Sequence, residues 1–196
     1  IRKNYTHLDL MLKPNEKYKI YDDFCGIGNY QMIWKYVQEA TYIHGEVDHQ
    51  GSYPIGMVHE LPLDCDFGYP SGIMGVSYNH INFPFPREIN GYPLVRAYIN
   101  FYAPRELAVF HIDDNDPKST TLLYYPCPTL DPDEGGATEL MIDNNLIGVR
   151  SIANRLLAFK SNILHRSTPF TSYPRWTIAL KYNKFITEKD VRARET

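Results

Sequence analysis

Tyr30, Ile33, Val37, Ala40 and Ile43 recur at spacings of three and four, which predicts a helix over 29–43 with one buried face. Ahead of it the first 25 residues are polar and mixed, apart from a short candidate strand at Tyr18 to Tyr21. Between Gly45 and Gly91 the periodicity lapses and Gly and Pro become frequent, so this stretch reads as loops and short strands forming a functional cover. From Leu94 onward short apolar or alternating runs take over: 95–102, 107–112, 120–125, 138–142, 156–159, 163–164 and 176–182. Turn residues punctuate them, among them Asp113 to Pro117, Asp131 to Gly136, Asp143-Asn144-Asn145 and Thr168-Pro169. Many short strands at this spacing predict an antiparallel β-sandwich or barrel, with helices from the N-terminal part packed on it. The charged tail from Glu188 to Glu195 reads as a solvated face or frayed end. With no repeat and no linker, residues 1–196 form a single domain: an N-terminal helical and loop region over 1–93 and a core β-sandwich over 94–183.

Composition narrows the function classes. The chain has 196 residues, 20 Lys+Arg against 23 Asp+Glu, and a formal net charge of −3, which argues against a protein held mainly to nucleic-acid or membrane phosphates. No apolar run reaches the roughly 20 residues of a membrane helix. Cys25, Cys65 and Cys127 are scattered and odd in number, a poor disulfide framework and a poor zinc site, so a reducing, cytoplasmic setting is expected. Seven histidines and 16 tyrosines remain to be explained.

His111-Ile112-Asp113 offers the first explanation. In an extended chain positions i and i+2 point to one face, so this imidazole and carboxylate can ligate one ion. The pattern alone is weak, and His7-Leu8-Asp9 repeats it. What separates the two is completion. His165 follows Asp113 in another strand-like run, and ten residues later Arg175 opens the last strong strand, with Thr177 on the same face. Two His and one Asp on strands make a facial triad, suited to non-haem Fe(II) with three positions left open. A guanidinium nearby can grip a cosubstrate carboxylate through two parallel bonds, with a hydroxyl adding a third. The decoy has no such sequel: the tenth residue after His59, its nearest candidate third ligand, is Tyr69. Taken singly, His111 or Asp113 would read as a surface or turn group and Arg175 as a solvated strand residue. Their ordered spacing reverses that.

This order resembles the Fe(II)- and 2-oxoglutarate-dependent oxygenase superfamily, most closely its prolyl-hydroxylase-like branch with small bacterial and phage members. The resemblance covers roughly residues 94 to 183. Gly135-Gly136-Ala137-Thr138-Glu139-Leu140 is similar to the family's Gly-Gly-x-x-x-Leu turn, and Arg175-Trp176-Thr177 to the Arg-x-Ser/Thr pair that holds the far carboxylate of 2-oxoglutarate. Asn100-Phe101-Tyr102 is similar to the Asn-x-Tyr segment before the metal strand, and Tyr124-Tyr125 to a Tyr-Tyr pair. Alternation puts Tyr125 on the face of Thr121 and Leu123, which makes it the better candidate of the pair. The resemblance thus implies Fe(II) on His111, Asp113 and His165, and 2-oxoglutarate near Arg175, Thr177, Tyr102, Tyr125 and Asn100. It implies O2 as the oxidant, ascorbate as an accessory reductant, and a double-stranded β-helix, a distorted cupin-like jelly roll. Two positions depart from the family: Arg105 where Gly is usual, and Pro126-Cys127 where Leu-Asn follows Tyr-Tyr. Both are expected along the entrance.

The chemistry so implied is hydroxylation of an unactivated C–H bond with release of succinate and CO2, and the leading substrate is a peptidyl prolyl residue. Gly68-Tyr69-Pro70, Tyr78-Asn79-His80 and Phe83-Pro84-Phe85-Pro86 supply aromatics that can stack on a ring or simply staple the loop down. A small molecule, sugar or nucleotide is the alternative substrate. A local basic patch of Arg105, Arg150, Arg155 and Arg166 is the sole hint of nucleic acid. Two other classes stay open: a catalytically dead jelly roll that binds carbohydrate or protein, and a cupin-type metal enzyme, against which the lack of any His-x-His counts.

Overall fold

In the computed structural model, residues 9–44, 56–61, 63, 76–78 and 81–184 are described. The elements run β1 (Tyr18–Tyr21), α1 (Ile27–Glu39), β2 (Ile43–His44), β3 (Met57–Leu61), β4 (Val76–Tyr78), β5 (Ile81–Phe83), β6 (Glu88–Ile89) and β7 (Tyr92–Tyr102). They continue with β8 (Thr120–Tyr125), β9 (Thr138–Ile142), β10 (Asn145–Val149), β11 (Arg155–Lys160), β12 (His165–Ser167) and β13 (Arg175–Tyr182). A large antiparallel sheet has the order β1-β11-β8-β13-β7-β3-β2, with β6 also on β7; a small sheet has the order β10-β9-β12.

The large sheet is covered on both faces, and its central strand shows why the chain is so apolar there. Every residue of β8, Thr-Thr-Leu-Leu-Tyr-Tyr, is buried. Leu122 and Tyr124 face a core built with Ile33 and Val37 of α1, Phe85, Leu156, Ile178 and Tyr182. Leu123 and Tyr125 face the other way, into a core shared with Leu140 of β9, Phe159, Ile163 and Val149. Each such side chain contributes about 1.5–3 kcal/mol by leaving water. The alternation of 121, 123 and 125 on one face is as expected. Tyr125, Thr121 and the strand β13 therefore open onto the space between the two sheets.

Differences from the sequence pattern have local causes. The helix stops at Glu39 rather than 43, because Ala40 turns extended (ψ 148°) and Ile43 is recruited into the sheet opposite Val58. It is the single α-helix among the described residues, where several helices were expected; the one other helical turn is a 3-10 turn at Pro132–Glu134. Strand β10 was not foreseen: Asp143 and Asn144 both take positive φ (50° and 63°) in a two-residue hairpin, and the chain returns along β9 with Asn145 opposite Ile142. No helix of the described residues is long and apolar enough to cross a membrane. His7, His49, Gly68-Tyr69-Pro70, Asn79-His80, Cys65 and the charged tail lie outside the described residues.

Candidate metal centre and the buried arginine beside it

Residues 107–112 form no regular strand, contrary to the pattern. They run alongside 161–167 in broken register: Ala108 N–H donates to Ser167 O at 3.3 Å and Asp113 N–H to Ser161 O at 2.9 Å, with one true bridge at His111 and His165. Thus two segments far apart in sequence bring His111, Asp113 and His165 together.

Each imidazole is aimed by its own backbone. Nδ1 of His111 donates to Val109 O at 3.1 Å and Nδ1 of His165 to Ile163 O at 2.8 Å. That leaves both Nε2 lone pairs pointing inward, as metal ligation needs. Nε2 of His111 lies 3.6 Å from Asp113 Oδ1, and Nε2 of His165 lies 3.6 Å from Asp113 Oδ2. Neighbouring ligands on bonds of about 2.1 Å at right angles sit about 3 Å apart, so the three groups can hold one ion with little movement.

Burial alone would raise the Asp113 carboxyl, but the ammonium of Lys181 and the two imidazoles outweigh it and hold it well below the usual carboxylate range. Lys181 Nζ is 2.5 Å from Asp113 Oδ2, and the Thr121 hydroxyl donates to the same oxygen at 2.6 Å. Burial pushes His165 down to about 4, which keeps its ring neutral and available as a ligand.

On the inner face of β13, alternation places Arg175, Thr177 and Lys181 in one row. Arg175 is fully buried. Its Nε donates to Gly136 O at 3.2 Å, one terminal nitrogen to Ser167 Oγ at 2.6 Å and the other to Thr138 Oγ1 at 2.9 Å. The guanidinium carbon lies 5.8 Å from the Tyr125 ring centroid, and the Tyr125 hydroxyl donates to the same Thr138 oxygen at 2.8 Å. Tyr102 stands opposite Arg175 in the β7–β13 ladder and Asn100 opposite Thr177. The Asn100 side-chain oxygen is buried with no hydrogen-bond partner among the described residues. All eight residues singled out from the sequence are thus on the inner side of the sandwich or at its metal end, and the orphaned amide beside Thr177 fits a site whose occupant completes it.

Neither family sequence models nor curated proteins match this chain. Solved structures do. A prolyl-4-hydroxylase from Pseudomonas putida aligns over 91% of this chain and 97% of its own with a TM-score of 0.66 at 15% identity. A prolyl hydroxylase from Trichoplax adhaerens, in complex with a hypoxia inducible factor peptide, aligns over 93% and 88% with a TM-score of 0.61 at 17% identity. HygX from Streptomyces hygroscopicus, with nickel, 2-oxoglutarate and hygromycin B bound, aligns over 86% and 83% with a TM-score of 0.56 at 10% identity. The chain has the double-stranded β-helix fold of the 2-oxoglutarate–Fe(II) oxygenases.

The two departures from that superfamily's sequence pattern have different fates. Arg105 adopts φ +68°, the left-handed region that glycine enters without strain, which accounts for Gly being usual there. Cys127 is not at the entrance: it is buried, with its sulfur accepting from Trp176 N–H at 3.2 Å. Of the four arginines of the candidate basic patch, Arg155 pairs with Asp22 at 2.6 Å and Arg166 with Glu139 at 2.7 Å.

A cavity of about 230 Å³ opens on the metal end, lined by Arg96, Tyr98, His111, Asp114, Lys181 and Asn183 among others. Arg96 lies over the Tyr98 ring at 3.9 Å and Lys181 at 5.7 Å. Arg96, Lys181 and Thr121 were not singled out from the sequence. For Lys181 the signal was there, in its even spacing from Arg175.

Proposed function

We propose that this protein is an Fe(II)- and 2-oxoglutarate-dependent dioxygenase that hydroxylates an unactivated C–H bond and releases succinate and CO2. One observation carries the reading: two backbone-aimed imidazoles and a charge-pinned carboxylate converge at one end of β12, whose other end, Ser167, accepts from a fully buried arginine. His111, Asp113 and His165 would hold the iron, and Arg175 with Thr177 would hold the far carboxylate of 2-oxoglutarate. Fe(II), when bound, supplies the activation of O2 that drives oxidative decarboxylation.

The chain's own residues do the rest. Arg175 lacks any carboxylate partner among the groups that bind it, all of them neutral oxygens, so an incoming anion meets a cation whose charge is uncompensated locally. Tyr125 and Thr138 orient the guanidinium, and Tyr102 and Asn100 face the same space from β7. Burial lowers the Arg175 pKa, yet an arginine stays protonated there and keeps its anchor charge. Ascorbate would serve as a reductant for iron that oxidises without turnover.

A peptidyl prolyl residue is the leading substrate, making this a prolyl-4-hydroxylase-like enzyme, supported by the two prolyl hydroxylases it resembles in fold. A small polar molecule is the second reading, and the cavity favours it: the Tyr98 ring that could stack on a pyrrolidine is lined by Arg96 and Lys181. Succinate formation measured against proline-containing peptides, free amino acids, sugars and nucleotides separates them. Anaerobic addition of Fe(II) and 2-oxoglutarate tests the core reading, by the visible charge-transfer band of a chelated keto acid. No band and no succinate would leave a non-catalytic jelly roll as the remaining reading.

A further inference from the structure

An ionised carboxylate has about four lone-pair sites, two on each oxygen. At Asp113 both sites of Oδ2 are spoken for. Thr121 Oγ1 donates into one at 2.6 Å and Lys181 Nζ sits against the other at 2.5 Å. Thr121 spends its single proton on Asp113, so the 2.9 Å contact between Thr121 and Ser161 has Ser161 as donor, which fixes the threonine hydroxyl in turn. Each oxygen faces one imidazole, Oδ1 at 3.6 Å from His111 Nε2 and Oδ2 at 3.6 Å from His165 Nε2, but with both lone pairs of Oδ2 occupied, Oδ1 is the oxygen left for an ion.

We infer that Lys181 and Thr121 together restrict Asp113 to single-oxygen coordination through Oδ1, with Lys181 the principal positioning residue. This rests on the oxygenase reading and deepens it. A facial triad with one-point ligands leaves three positions of an octahedron open, two for the keto acid and one for O2. If Asp113 swung to bind through both oxygens, one of those three would be closed. Lys181 is well placed to prevent that. Its side chain is largely buried, and it pairs with Arg96 of β7 and Thr121 of β8, just before the β7–β13 register shifts at Tyr182.

The test uses Mn(II) alone, then 2-oxoglutarate on the Mn(II)-loaded protein, and the visible spectrum of the Co(II)-loaded protein as a report of coordination number. For Lys181→Met, which removes the charge and frees Oδ2, Mn(II) binding is expected to be equal or up to about tenfold tighter, while 2-oxoglutarate binding weakens about 10- to 100-fold and the Co(II) spectrum changes. Lys181→Arg is expected to restore both, and Thr121→Val to shift both in the same direction as Lys181→Met. Wild-type values for all three readouts in folded Lys181→Met would overturn the inference, as would loss of Mn(II) binding. If Lys181→Met does not fold, Thr121→Val carries the test with the same criteria. Failure of the unaltered protein to bind Mn(II) or 2-oxoglutarate would instead overturn the oxygenase reading, and this inference with it.

Discussion

His111 and His165 exchange both of their backbone hydrogen bonds, each 2.9 Å long, across a single antiparallel bridge, and their rings lie 4.3 Å apart. Their spacing is therefore set by main chain rather than by rotamer choice, and residues 107–112 need not form a strand to achieve it.

A site fixed in this way is expected to survive loss of one ligand as a fold but not as a metal centre. Asp113→Ala is expected to abolish iron-dependent succinate formation while the protein remains folded. Equilibrium dialysis against Fe(II) or Mn(II), with circular dichroism as the control, checks it; normal succinate production by the variant would sink the triad.

Metal should also stabilise the native chain. At a free Mn(II) concentration 100 times its dissociation constant, linkage gives about 2.7 kcal/mol, read as a rise in melting temperature that EDTA reverses. In His165→Ala the rise is expected to vanish.

Arg175 is expected to act on cosubstrate binding. Truncating one partner of a buried charge pair costs about 2–5 kcal/mol. Arg175→Met should therefore raise the KM for 2-oxoglutarate by at least about 30-fold, with a smaller change in the KM for iron. Equal increases in both would show that Arg175 supports the whole site rather than the dicarboxylate.

Gly136 tests how the arginine is seated. It has φ +74°, a Cβ there would come within 2.0 Å of the Phe170 ring, and its carbonyl accepts from Arg175 Nε. Gly136→Ala is expected to lower the melting temperature by several degrees and weaken 2-oxoglutarate binding together. Gly28→Ala, where nothing lies within 4 Å, is the control and should leave both nearly unchanged. Thermal melts and cosubstrate titration of the two variants decide it.

Burial raises the Cys127 thiol from its usual 9.0 to about 11. The native state then keeps a proton that the unfolded chain loses above pH 9, so Cys127 contributes a fall in stability as pH rises from about 9 to 11. Denaturant melts of the protein and of Cys127→Ala across that range should converge at high pH relative to neutral pH. Parallel curves would contradict the burial.

The barrel was legible because its strands are short and bounded by turn residues: β1, β8 and β9 fall where the pattern puts them, and β11 and β13 within a residue at either end. The gathering of His111, Asp113 and His165 and the inward seat of Arg175 were legible because order and spacing along strands survive folding. What was hidden depended on partners distant in sequence. The pairing of residue 111 with residue 165 replaces a strand at 107–112, and the ion pair joining Lys181 to Asp113 links residues that no local pattern connects. Cys127 was misplaced for the same reason, since its seat is the Trp176 backbone on another strand.

The row Arg175, Thr177, Ala179, Lys181 behaves as a ruler. Because β13 is held in register on β7 from Arg175 to Lys181, and on β8 as well from Ile178, the anchor for a dicarboxylate can only be re-sited by hops of two residues, about 6.6 Å each. A single methylene extends a chain by far less than one hop. Under the oxygenase reading, the strand thus grades diacids in coarse steps, and fine discrimination between five- and six-carbon keto diacids falls to the groups that close around Arg175: Thr138, Ser167 and the Gly136 carbonyl.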